Sequence, residues 1–142
     1  MKLFLEMLLY RAFHAQRKRL RPFMAQLKLA PGQPKILYYL VSHEGCMQKE
    51  VAEYCDIEPA TASRILDTME KGGLIRRTVA ENNRRAGSIS LTETGLRQYQ
   101  LWEARCREVE AEMLAGFSEK EKRELTEYLK RVYKNLSGKD AL

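Results

Sequence analysis

Across Pro59–Glu70, helical spacing puts Ala60, Thr61, Ser63, Arg64 and Thr68 on one side and Ala62, Ile65, Leu66 and Met69 on the other. The first set combines small side chains, hydroxyls and one guanidinium. Small residues let a helix backbone approach the floor of a DNA major groove, and hydroxyls and an arginine fork bond to base edges or phosphate oxygens. Pro59 pre-sets the first turn of this helix. Further along, Arg84 and Arg85 stand together between two short runs of alternating polarity. A protruding turn there would carry the pair to a minor groove or its phosphates. The competing readings are a packed helix in a protein-interaction module and a solvated turn.

No comparable set supports catalysis. His14 and His43 fall on different helical segments, and there is no HExxH, glycine-rich phosphate loop, nucleophile elbow or CxxC pair. The three cysteines, Cys46, Cys55 and Cys106, match no zinc or disulfide framework. No enzyme, metal or cofactor is expected. Cys55 and Cys106 fall on apolar helix faces. Cys46, beside Gly45 in an expected loop, is the thiol expected to be exposed, which makes it the candidate for redox sensing.

Charge supports an anionic partner. Lys plus Arg number 25 against 19 Asp plus Glu, a net charge of +6. Six basic residues and no acid lie between Arg11 and Lys28, and Arg76, Arg77, Arg84 and Arg85 form a second concentration opposed by Glu81 alone. Arg17, Lys18, Arg19 and Arg21 either form a solvated face, line a pocket for an anionic effector or touch flanking phosphates. The apolar start of the chain contains Glu6 and soon meets Arg11. It is too short to span a bilayer and no cleavage site follows, so a cytoplasmic protein without membrane attachment is expected.

The elements that must position these residues follow from periodicity. Residues 2 to about 28 read as a long helix with Pro22 as a potential kink. A second helix carries Ile36, Leu37, Leu40 and Val41 on its apolar face and ends near Glu44-Gly45. A third covers Gln48–Tyr54, with Val51, Ala52 and Cys55 inward. Asp56-Ile57-Glu58 turns the chain into the Pro59–Glu70 helix, which Lys71-Gly72-Gly73 stops. Leu74–Val79 and Ser88–Leu91 then read as strands. Thr92 caps a helix whose buried line is Leu96, Tyr99, Trp102, Cys106, Val109 and Met113. Ser118 and Glu121 open a last helix with an apolar stripe of Leu125, Tyr128, Leu129, Val132, Tyr133 and Leu136. The fold class is mainly α with a small β-hairpin wing, a winged helix-turn-helix flanked by terminal helices.

Gln48–Ala52, Thr61–Asp67, Glu70–Arg77, Asn83–Arg85 and Leu91–Gly95, in this order and spacing, resemble the MarR family of bacterial regulators. The resemblance implies one MarR-like domain over 1–142, with a DNA-binding lobe at 30–95 and dimerisation helices at 1–29 and 96–142. It implies a homodimer that binds a double-stranded operator, a repressor released by a small anionic or aromatic effector. Pro59, Ala60, Thr61, Ser63, Arg64, Thr68, Arg84 and Arg85 are then the expected DNA-binding set. Arg17, Arg21, Tyr38, Tyr39, Tyr99 and Trp102 fall near the expected effector site between helical arm and lobe, although the aromatics also suit a core. Asn83 stands where the family usually has an aspartate paired with the wing arginine, so the wing lacks that charge.

Overall fold

A computed structural model describes residues 4–78 and 87–141. Its elements run α1 (Leu5–Gln26), α2 (Gln33–Ser42), α3 (Gln48–Tyr54), α4 (Pro59–Lys71), β1 (Ile75–Arg77), β2 (Ile89–Leu91), α5 (Glu93–Met113) and α6 (Glu119–Ser137). The order matches the one read from periodicity. Pro22 lies inside α1 without ending it. The strands are shorter than expected, three residues each, and pair antiparallel with Arg76 opposite Ser90.

One device ends three of the helices. After α1, α3 and α4 the chain takes a left-handed residue, Lys28, Asp56 and Gly73 respectively. The next amide closes back on the helix: Leu29 onto Met24 O, Ile57 onto Ala52 O and Leu74 onto Met69 O, all within 2.9–3.1 Å. These bonds satisfy carbonyls that a helix end leaves orphaned. At Lys28 and Asp56 a side chain accepts a conformation that costs roughly 1–2 kcal/mol. The Asp56 turn sets the direction of α4 from α3.

The core forms where the inner faces of α2, α3 and α4 meet the hairpin. Ile36, Leu37, Leu40, Val51, Leu66, Met69 and Ile89 are almost completely buried. Each such side chain contributes about 1.5–3 kcal/mol relative to exposure. Cys46 joins them, contrary to the expected loop exposure, and is only 7% exposed. The reason is backbone pairing: Gly45 N donates to Ile89 O and Ile89 N donates to Cys46 O, both at 2.9 Å. Cys46 thus adds a single rung beside β2.

The chain divides into two compact units, Met1–Arg107 and Glu108–Leu142. In the first, the C-terminal half of α1 packs on the core through Leu20, Phe23, Met24 and Leu27. Gln98 Nε2 donates to Leu27 O at 3.1 Å, and the Arg105 guanidinium lies over the Phe23 ring. The N-terminal half of α1 leaves Phe4, Leu5, Met7, Leu8, Leu9, Tyr10 and Phe13 exposed. In the second unit, Ser118 and Glu121 cap α6 reciprocally. Its stripe of Leu125, Tyr128, Leu129, Val132 and Leu136 stays exposed. Along α5, Tyr99, Trp102 and Val109 are buried as expected, whereas Leu96 and Met113 are exposed, as is Val41 of α2. Among the described residues no helix is long and apolar enough to cross a membrane.

Candidate nucleic-acid interface

Helix α4, whose outer face is the candidate reading surface, is held by Ala62, Leu66 and Met69, all fully buried. Ile65, expected inward, is half-buried because it faces the loop before α2. Pro59, Ala60, Arg64 and Thr68 are exposed, and Thr61 and Ser63 partly so. The outward set of small, hydroxyl and arginine side chains therefore lies along one helix surface. Thr68 Oγ1 donates to Arg64 O at 3.2 Å. Its proton is committed to the backbone, which leaves the oxygen as an acceptor.

The hairpin follows at once. Thr78 N donates to Ser88 O at 2.9 Å, extending the pairing of β1 and β2 by one rung. Arg76 is exposed. Arg77, counted with the basic concentration in the sequence, is not a free cation. Its side chain is 11% exposed and binds Asp67 Oδ1 and Glu70 Oε1, the latter at 3.2 Å. Burial works against its charge, but the hydrogen bonds to Asp67 and Glu70 outweigh it and hold its pKa above the usual value. Sequence reading missed this pairing. The i, i+3 spacing of Asp67 and Glu70 on the helix preceding the strand was the available signal. Asn83, Arg84 and Arg85 lie outside the described residues.

The base of the hairpin is locked to α5. Thr92 Oγ1 accepts from Gly95 N at 3.0 Å, the cap expected from sequence, and donates to Gly73 O at 2.5 Å. One hydroxyl thus ties the end of α4 to the start of α5.

Comparison with known proteins gives this geometry a family. The MarR family model matches residues 29–86. A solved structure from Listeria monocytogenes, assigned to the MarR family and complexed with a 26mer DNA, shares 31% identity and superposes with a TM-score of 0.83 over 96% of this chain and 90% of its own. The chain belongs to the MarR family. Among curated relatives, the Bacillus subtilis HTH-type transcriptional regulator YybA is 29% identical over 78% of this chain and 73% of its own length. The organic hydroperoxide resistance transcriptional regulator of the same organism is 33% identical over 62% of this chain and 60% of its own length. The protein is accordingly a winged-helix, DNA-binding transcriptional regulator, from a family whose members are not enzymes.

In this MarR-family chain the expected effector residues separate into two places. Arg17, Arg21 and Trp102 line a cavity of about 850 Å³ bounded by α1, the loop before α2, and α4. Leu20, Met24, Leu29, Ile57 and Ile65 give it an apolar surface, and Lys35 adds a cation. Thr61, Arg64 and Thr68 of α4 form part of its wall. Arg17 also covers the Phe13 ring at 5.5 Å. Tyr38, Tyr39 and Tyr99 are elsewhere. Tyr39 stacks on His43 at 4.1 Å and on Tyr54 at 4.5 Å. Tyr38 bridges Tyr54 and Tyr99 at 6.4 and 6.5 Å. Burial raises the phenol pKa of both Tyr39 and Tyr99. Tyr39 and Tyr99 are buried and Tyr38 is exposed, and none of the three lines this cavity.

Burial also pushes the Cys46 thiol up to about 11, with Glu50 adding to the effect. Cys55 is raised to about 11, again chiefly by burial. Among the described residues no cluster of three or more His, Cys, Asp or Glu is placed to hold a metal.

Proposed function

We propose that this protein acts in the cytoplasm as a homodimeric repressor of transcription, reading a pseudo-palindromic operator and released by a small anionic or aromatic molecule. The observation that carries the reading is the outer surface of α4: Ala60, Thr61, Ser63, Arg64 and Thr68 stand opposite the buried Ala62, Leu66 and Met69, directly before a β-hairpin. The exposed apolar faces of α1 and α6 support the dimer, since stripes of that size mark interaction surfaces. The cavity supports the effector. Its apolar walls suit an aromatic body, and Arg17, Arg21, Lys35 and Arg64 suit a carboxylate or similar anion. An occupant would touch the reading helix itself, and a coupling of roughly 1–3 kcal/mol would be enough to release DNA.

A thiol sensor at Cys46 fits less well, because a thiol raised to about 11 is protonated at neutral pH and reacts slowly. Selection of bound genomic fragments followed by footprinting tests the proposal. Two protected half-sites about 10 bp apart, or a small multiple of that, are expected. A folded, dimeric protein that binds no DNA at low salt would discard the reading.

A further inference from the structure

We propose that Arg77 is a positioning residue for DNA recognition: by holding Asp67 and Glu70 together, it fixes the angle between the reading helix and the hairpin. The inference rests on the base-reading role proposed for α4.

The chain passes from α4 to β1 through Gly72 and Gly73, and Gly73 has φ 75°. The turn itself is closed by backbone bonds from Gly72 N to Thr68 O, Gly73 N to Glu70 O and Leu74 N to Met69 O, and by Thr92 Oγ1 on Gly73 O, with no side chain of its own to brace the strand against the helix. A Cβ at Gly73 would meet nothing within 4 Å, so packing does not close the turn there. Leu74 and Ile75 anchor the root of the hairpin in the core. Beyond them Arg76 and Thr78 are exposed, and Arg77 alone of these three is drawn inward. It is the last residue of β1 and reaches back across the glycine turn to two carboxylates one helical turn apart. A bond to one carboxylate restrains a distance. Here both bonds leave one nitrogen, Nη2, which is held between two points spaced along α4, and this limits how the end of the strand can slide or turn along the helix.

The alternative role is electrostatic, and the two roles predict opposite signs. Asp67, Glu70 and Arg77 together carry one net negative charge beside the reading surface. On charge alone, neutralising either carboxylate favours DNA, because fewer anions then oppose its phosphates. If the group positions α4, the same change weakens recognition.

The experiment uses the full chain. Wild-type protein first selects a duplex from a random-sequence library. Asp67→Asn, Glu70→Gln and Arg77→Lys are then titrated against that duplex and against a shuffled duplex of equal composition, with thermal unfolding measured in parallel. Both carboxylate variants are expected to lose about tenfold in affinity for the selected duplex. Affinity for the shuffled duplex should hold or rise, and unfolding temperatures should stay near wild type. Arg77→Lys keeps the charge but replaces the rigid guanidinium, whose Nη2 makes both bonds, with an ammonium on a flexible stem, and should lose part of the discrimination. Unchanged or tighter binding of the selected duplex by both carboxylate variants overturns the proposal. So does an equal loss on the two duplexes, which marks a general defect. Failure of the wild type to enrich any sequence overturns the operator reading itself, and the positioning role with it.

Discussion

A methyl group added at Gly95 would stand 2.0 Å from the carbonyl oxygen of Leu74 and 3.2 Å from Leu91 Cδ2. The first neighbour is backbone, held by the bond from Thr92 N at 3.1 Å, and cannot swing aside. Gly95→Ala must shift α5 from the hairpin, and a loss of about 1–3 kcal/mol or more is expected in chemical denaturation. The cysteines give a second prediction. Cys46 and Cys55 are raised from near 9 to about 11, so folding opposes their ionisation. Their contribution is intact below pH 9 and is lost as pH climbs toward 11. The Cys46→Ala/Cys55→Ala protein should therefore show a shallower fall in melting temperature across that window. Tyr99 is common to both proteins, whereas Tyr39 is raised by burial and also by Cys46 and Cys55, so the difference reports the two thiols together with their effect on Tyr39. The Thr92 cap was legible in sequence because a cap is a local pattern. Arg77 and Cys46 were not: the first depends on carboxylates from another element, the second on a backbone rung to Ile89, distant in the chain.

The helices show what periodicity reveals and what it omits. The inner faces of α2, α3 and α4 were readable because apolar residues recur at helical spacing and all find partners within the lobe. On α5 the same spacing included Leu96 and Met113, which are exposed. A period identifies an apolar face, not the extent of what covers it. Strand lengths were overestimated for a related reason: Leu74 is buried yet belongs to the turn that ends α4. The outer face of α4 carries its own prediction. Arg64→Ala removes the one guanidinium of the reading surface without touching the buried side. It should leave unfolding unchanged, weaken operator binding by about 1–3 kcal/mol and relax preference at one base position, as read by titration against single-base operator variants. Wild-type discrimination in a folded variant would move base reading away from this residue. Because Arg64 also lines the cavity, the variant should bind a carboxylate-bearing aromatic probe less tightly.

Assembly is where one chain leaves the most apolar surface unexplained. Leu8 of α1 and Leu129 of α6 are 47% and 48% exposed, each within a longer apolar stripe and each in a different compact unit. Sequence alone suggested that such arms cover one another between copies, since neither stripe has a core of its own to fill. A glutamate at an exposed position normally changes stability by about 0.5 kcal/mol or less. Leu8→Glu and Leu129→Glu should therefore retain helical circular dichroism while introducing a charge that a buried contact cannot accept unpaired. Sedimentation should give the mass of one chain where the wild type gives two. Operator affinity should fall by about 100-fold or more, because a second half-site no longer adds to the first through a shared assembly. Affinity for an isolated half-site should survive, since the reading surface of α4 belongs to the first unit. If the variants remain dimeric, the contact lies on another surface. If they become monomeric and still bind the full operator as tightly, α4 and the hairpin recognise DNA without assembly, and spacing between two lobes has no part in specificity.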